Sequence, residues 1–114
     1  MNSPAREYDL LELIPLHNIK WEENSTTGLV ELMKPKFNNA ILKKYLLPKL
    51  QNRFYVVKLD KIGSFVWKKI NGENKIRDIA QALEEEFGES IQPVTSRLSK
   101  FIYSLNRNQF IKLK

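Results

Sequence analysis

The sequence predicts an α+β, winged-helix-like fold in which three N-terminal β-strands are followed by a three-helix bundle. Aromatic and β-branched residues run together at positions 54–59, a composition typical of a strand. After that strand, apolar residues recur at spacings of three and four, which indicates amphipathic helices. A chain of 114 residues with 42% hydrophobic residues can form one hydrophobic core, so we expect one domain.

The N-terminal part of the chain is predicted to form an arm and a hairpin. We expect residues 1–16 to form the arm and residues 17–114 to form the domain itself. Ile19 and Trp21 alternate with polar neighbours and predict a first strand. A polar turn leads to a second predicted strand at residues 29–33, and the two strands are expected to pair as a hairpin.

Residues 34–53 are predicted to be an extended, partly helical connection to the third strand. Pro35 and Pro48 bound this connection, and the apolar residues between them are enough for about two helical turns. The third strand follows at residues 54–59. Because side chains alternate along a strand, the face that carries Tyr55 is expected to point into the core.

Three helices are predicted after the third strand, each with one apolar face. The apolar positions are Ile62, Val66 and Ile70 in the first helix, Ile76, Ile79, Ala80, Leu83 and Phe87 in the second, and Val94, Leu98, Phe101, Ile102 and Leu105 in the third. Gly63 is expected to let the Trp67 indole or another element pack closely, and Asn74 is expected to cap the second helix. The third helix is predicted over residues 90–106, and residues 110–113 form a terminal strand or tail.

The composition excludes several classes of functional site. The chain has no cysteine, which excludes disulfides, iron–sulfur clusters, thiolate zinc sites and cysteine nucleophiles. His17 is the only histidine, which excludes the common zinc hydrolase sites and a Ser-His catalytic pair. The four glycines form no phosphate-binding loop, and no pair of carboxylates is spaced for acid–base chemistry. We therefore expect no catalytic activity, no metal and no cofactor.

Basic residues are concentrated in the middle of the chain. The formal net charge is +6, and residues 34–69 hold ten lysines and arginines but one acid, Asp60. Four glutamates follow between residues 84 and 89. This pattern favours either an anionic partner, such as nucleic acid or an acidic peptide, or a solvated lysine-rich surface. No apolar run reaches the ~20 residues of a membrane span and no signal peptide is evident, so we expect a cytoplasmic protein without membrane contact.

Six short motifs follow one another along the chain, starting at the end of the predicted third strand. They are Leu59-Asp60, Val66-Trp67, Asn71-Gly72, Ile79-Ala80-Gln81-Ala82-Leu83, Phe87-Gly88 and Phe110-Ile111. Their order and spacing resemble the PqqD family, whose members are also known as peptide-recognition elements of ribosomal peptide maturation. The predicted strands agree with that family in number and order.

The resemblance implies a non-catalytic adaptor of PQQ biosynthesis or another pathway that modifies ribosomal peptides. Such an adaptor binds the leader segment of a precursor peptide and presents it to a modifying enzyme, such as a radical SAM protein. The leader would add as a strand beside the third strand and lie against the last helix. The residues expected at this peptide-binding site are Phe54, Val56, Lys58, Arg97, Lys100, Phe101 and Ser104.

The sequence is also compatible with two other kinds of interaction, DNA binding and homodimer formation. The second and third helices also resemble a helix-turn-helix, so a winged-helix DNA-binding protein would contact DNA through Thr95, Ser96, Arg97 and Lys100. The densest basic stretch precedes that helix and four acids lie near the turn, which disfavours nucleic acid as the partner. Separately, an unpaired third strand could pair with its twin across a two-fold axis and give a homodimer.

Overall fold

The computed structural model describes residues 7–35 and 54–114. In chain order these residues form α1 (Glu7–Leu10), β1 (Pro15–His17), β2 (Trp21–Glu23), β3 (Val30–Pro35), β4 (Phe54–Lys58), α2 (Lys61–Lys69), α3 (Ile76–Phe87), a short 3-10 helix (Gly88–Ile91), α4 (Val94–Arg107) and β5 (Ile111–Leu113). The predicted α+β class is confirmed. The connection predicted at 34–53 falls largely outside the described residues, and its first two residues complete β3.

The strands form two small antiparallel sheets. β2, β3 and β4 form a three-stranded sheet in that order. Leu32 on the central strand β3 lies between Trp21 on β2 and Val57 on β4. β1 and β5 form the second sheet, with Pro15 opposite Leu113. The predicted hairpin and terminal strand are confirmed, although the first strand of the hairpin begins only at Trp21. Part of the predicted arm is therefore a strand, and the third predicted strand is β4.

The three long helices bury most of the apolar positions that the sequence predicts, and α2 packs against β3 of the three-stranded sheet. Trp67 is fully buried and Val30 and Leu32 supply the sheet's share of the core. The other deeply buried side chains are Leu10, Val66, Ile70, Ile76, Ile79, Leu83, Ile91, Leu98, Ile102, Leu105 and Ile111. The third helix was expected from residue 90 but begins at Val94, because Gly88–Ile91 winds as a separate 3-10 turn.

The residue that caps α3 is Lys75 and not the predicted Asn74. Asp78, in the first turn of α3, accepts a hydrogen bond from the Lys75 backbone N–H at 2.8 Å. The Asn74 side chain instead donates to the Lys69 carbonyl oxygen at 2.9 Å, so it closes the end of α2. The Asp78 carboxylate thus binds the N–H of the cap residue itself, which is one of the two hydrogen bonds of a capping box.

Residues 7–17, which we call the N-terminal strap, cross the helices and hold them together. Leu10 is fully buried in the core. Two carbonyl oxygens of the strap accept hydrogen bonds from the first turn of α3: Leu13 from the Ile76 N–H at 2.9 Å, and Leu11 from the Arg77 N–H at 3.0 Å. Because the first N–H groups of a helix have no partner within it, the strap satisfies donors that would otherwise need water.

Side chains and strand pairing extend the strap's contacts beyond the backbone of α3. Glu12 forms ion pairs with both Lys75 and Arg77. These charges are exposed, so the ion pairs contribute little to stability. At the other end of the strap, the Ile14 and Lys114 backbones exchange two hydrogen bonds at 2.8 and 3.0 Å. The strap is therefore joined both to α3 and to the strand that follows α4.

His17 connects the strap to α2. Its imidazole stacks on the Trp67 indole with ring centroids 4.0 Å apart, and its Nε2 lies 2.9 Å from the Trp67 carbonyl oxygen. Because a carbonyl can only accept, Nε2 carries the proton of the neutral ring. Burial lowers the pKa of His17, and the hydrogen bond to Trp67 opposes that shift only in part. The side chain is therefore structural, as its isolation in the sequence suggests.

The lowered pKa of His17 predicts a pH dependence of stability. The unfolded chain binds a proton at histidine more readily than the folded chain, so the free energy of unfolding is expected to fall as the pH drops below the ordinary histidine pKa of about 6.5. The loss stops once the pH is below the lowered, folded-state value. Urea titrations across this range should show it, and His17→Gln should flatten the slope. An identical slope in the variant would contradict this role.

Candidate functional site

One edge of β4 offers its backbone groups to a further strand. The Leu59 N–H donates to the Val30 carbonyl oxygen at 2.9 Å, which marks these two residues as a hydrogen-bonded pair of the β3–β4 ladder. Hydrogen-bonded pairs alternate along an antiparallel ladder, so the N–H and C=O groups of Phe54, Val56 and Lys58 point away from β3. Within residues 7–35 and 54–114, no strand pairs with this edge.

The side chains of β4 differ from the expected division into a core face and an outer face. Val57 lies opposite the buried Leu32 and packs against the core. Tyr55 was expected in the core but is 57% exposed, because it lies opposite Lys34 at the end of the sheet far from α2. Val56, on the other face, is 46% exposed. An aromatic and an aliphatic side chain therefore accompany the outward backbone groups.

A cavity of about 400 Å³ lies beside the end of β4. It is bounded by the segment that joins β4 to α2, by the start of α2 and by one face of α4. Its lining is largely apolar and includes Leu59, Ile62, Val66, Leu83, Ile91 and Leu98. We call this cavity the β4–α4 groove. Of the β4 residues, Lys58 belongs to this lining, so a strand added along β4 would meet the apolar recess at the Lys58 end of the edge.

Gly63 and Phe101 pack closely against each other in the wall of the groove. A Cβ atom at Gly63 would lie 3.3 Å from Phe101 Cζ and 3.1 Å from Asp60 Oδ1. The predicted close packing at Gly63 is therefore confirmed, and the element that packs there is the Phe101 ring and not the Trp67 indole. The Asp60 carboxylate accepts the Gly63 N–H at 2.7 Å and so caps α2. Phe101 itself is half-buried, with part of its ring exposed to the groove.

Two cations line the groove from opposite sides. Lys58 lies at the end of β4, and Arg97 lies on α4. The Arg97 guanidinium donates one hydrogen bond to the Ser90 carbonyl oxygen at 2.8 Å, which fixes its position beside the 3-10 helix. Among the described residues, neither cation forms an ion pair with a carboxylate. The groove therefore combines an apolar floor with two cations and one carboxylate, that of Asp60.

The structure brings together some of the site residues predicted from sequence and not others. Lys58, Arg97 and Phe101 meet in the groove. Lys100 and Ser104 are exposed on α4 but do not line the groove. Val56 and the backbone of Phe54 belong to the adjoining β4 edge.

Several lining residues were absent from the sequence prediction. Leu83 and Ile91 line the groove, yet in the sequence they carry only the apolar spacing of core residues. Close packing at Gly63 could be predicted from the sequence, because a glycine inside a predicted helix indicates a close approach by another element. Of the predicted DNA contacts, Thr95 and Ser96 are half-buried, and Arg97 and Lys100 are exposed.

The described part of the chain has neither a metal-binding cluster nor a membrane-spanning helix. No group of three or more histidine, aspartate or glutamate side chains is arranged to bind a metal ion there. No helix within the same ranges is long and apolar enough to span a bilayer.

Comparison with known proteins gives one family match. A family model described as "Coenzyme PQQ synthesis protein D (PqqD)" matches residues 51–111, just over half of the 114-residue chain. The matched region runs from just before β4 to the start of β5 and so contains every described element of the groove. Comparison with curated proteins and with solved structures gives no significant match.

Proposed function

Because the chain belongs to the PqqD family, we propose that it is a non-catalytic adaptor that binds the leader segment of a precursor peptide. The observation that carries this proposal is the outward-facing edge of β4 beside the β4–α4 groove. Main-chain hydrogen bonds along such an edge supply affinity without regard to sequence, and an adjoining recess supplies selection. The family match supports a role in the biosynthesis of PQQ or of another ribosomally made, modified peptide.

In this proposal the leader peptide becomes the fourth strand of the three-stranded sheet. It forms hydrogen bonds with the backbone of Val56 and Lys58 and lies between β4 and α4. Alternate side chains of the added strand point to opposite faces of the sheet, so every second one is directed toward the groove. Arg97 and Phe101 then form the wall on the helix side. No residue of the chain is given a catalytic role.

The adaptor's second partner is the modifying enzyme, for which a radical SAM protein is the candidate that family membership suggests. The β4 edge can be occupied by one strand at a time. Pairing of β4 with a second copy of the chain would therefore compete with leader binding. Light scattering with and without a bound leader distinguishes these states, because the competing homodimer is expected to dissociate when the leader binds.

An NMR titration of the ¹⁵N-labelled chain tests the proposed function. The ligands are leader peptides encoded beside its gene and, separately, a DNA duplex. Peptide binding is expected to shift the amides of β4 and of the α4 face around Arg97 and Phe101. Shifts of Thr95 to Lys100 on adding DNA, lost at higher salt, would instead favour a winged-helix DNA-binding protein. Leader shifts confined to other elements would overturn the proposed site.

A further inference from the structure

On the premise that a peptide pairs with β4 as proposed above, we infer that the β4–α4 groove selects one particular side-chain pattern. The pattern is one large aliphatic or aromatic residue with an acidic residue within two positions of it. The size and lining of the groove specify the first element of this pattern, and the two cations Lys58 and Arg97 specify the second.

The lining of the groove favours a large apolar side chain. Its volume of about 400 Å³ lies at the small end of the range for ligand pockets, roughly 300–1,000 Å³. This volume is ample for an aliphatic or aromatic side chain that enters from the sheet edge. The deepest lining residues, Leu83, Ile91 and Leu98, are aliphatic and almost fully buried, so they offer no partner to a polar group. A polar side chain placed there would lose its hydrogen bonds to water.

The two cations place the acidic residue. Lys58 is on β4, so it lies beside the residue of the added strand that directly adjoins the apolar one. Arg97 is on α4 and faces the groove side of the added strand, where the next residue on that face lies two positions away. Its guanidinium is already oriented by the Ser90 carbonyl oxygen. A carboxylate there forms a charge-assisted hydrogen bond with a donor whose position is set before binding.

Competition from the chain's own carboxylates is small. Asp60 is the acidic residue that lines the groove, and its Oδ1 accepts the Gly63 N–H as the cap of α2. Glu84 follows the groove residue Leu83 on α3, and its carboxylate accepts a hydrogen bond from the Gln92 side chain at 2.8 Å. Neither forms an ion pair with Lys58 or Arg97 in the part of the chain that the structure describes. The positive charge of the groove is therefore available to a ligand.

Selection from a phage library of random linear peptides on the full chain tests this inference. Enriched peptides that shift the β4 amides are expected to share the apolar–acidic pattern. In such a peptide, changing the large apolar residue to alanine is expected to weaken binding roughly ten- to hundredfold, the loss that corresponds to burial of one such side chain. Changing the acidic residue to its amide is expected to weaken binding roughly tenfold.

A matched pair of protein variants isolates the charge. Arg97→Gln is expected to remove most of the peptide's preference for the acid over its amide. Arg107→Gln, an equally conservative change at the far end of α4 and outside the groove, is expected to leave that preference intact. The two variants change the net charge by the same amount, so a difference between them reports the position of the charge and not its total.

The outcomes separate this inference from the proposed function. Peptides that shift β4 but share no apolar–acidic pattern would overturn the inference and leave the proposed peptide-binding function in place. An equal response of the Arg97 and Arg107 variants would overturn the assignment of the acidic residue to Arg97. If no peptide is enriched, or if enriched peptides shift only elements away from β4, both the inference and the proposed function are overturned.

Discussion

Replacing Val56 with proline is expected to weaken leader binding by at least about tenfold while the domain remains folded. The Val56 N–H points away from β3, so proline removes no hydrogen bond of the existing sheet. It does remove a donor that an added strand needs, and its ring occupies the space where the strand would approach. Each lost hydrogen bond is worth about 1 kcal/mol net, and the steric conflict adds to it, so affinity should fall by at least about tenfold. Isothermal titration calorimetry measures the loss.

The matched control for this variant is Val56→Ala, which keeps the N–H and removes only apolar surface. Val56 is 46% exposed and does not line the β4–α4 groove, so the alanine variant is expected to stay folded and to lose far less affinity than the proline variant. Thermal unfolding of both variants verifies that the sheet is intact. Leader binding by Val56→Pro with wild-type affinity would show that the ligand does not pair with β4, whatever the sequence of the leader.

Replacing Leu10 with alanine is expected to cause a large loss of stability, although Leu10 lies outside the region matched by the family model. The side chain is fully buried in the core. Leucine-to-alanine changes at such positions cost about 2–5 kcal/mol, because the transfer free energy is lost and a cavity remains. For a domain of this size each kcal/mol lowers the Tm by roughly 4–8 °C. Calorimetry should therefore show a decrease of at least about 8 °C.

The neighbouring Leu11→Ala serves as the control for Leu10→Ala. Leu11 is only half-buried, so the same chemical change should cost clearly less. Equal effects at the two positions would mean that the strap is not seated as described. A loss confined to Leu10, with leader affinity retained at low temperature, would show that the strap stabilises the domain without forming part of the binding site.

The elements that could be predicted from sequence are those with a strong local signal. The α3 pattern of Ile76, Ile79, Ala80 and Leu83 repeats over a whole helix, and all four side chains are buried. β4 could be predicted because its residues are aromatic or β-branched, a composition that few other structures favour. In both cases the information lies within a short stretch of chain, where propensity and spacing act together.

The parts of the fold and of the site that could not be predicted from sequence depend on contacts between residues far apart in the chain. β1 and β5 are three residues each, too short for a periodic pattern, and they pair across almost the whole chain. The exposure of Tyr55 follows from where α2 begins relative to the sheet, which no local pattern encodes. In the site, helical spacing placed Arg97 and Phe101 on one face of α4. It could not separate them from Lys100 and Ser104, because that depends on how α4 turns toward β4.

The pairing of β1 with β5 also constrains the order in which the chain can assemble. Pro15 and Leu113 are partners in this ladder, so the contact closes a loop that spans nearly the entire described chain. Closing a flexible loop of that length costs about 4 kcal/mol of entropy, and three residue pairs cannot offset it. The ladder therefore becomes stable only after the helices have shortened the distance between its strands. Folding should accordingly begin among the local contacts of the helices and finish with the β1–β5 ladder. The same ladder is expected to open first when the protein unfolds.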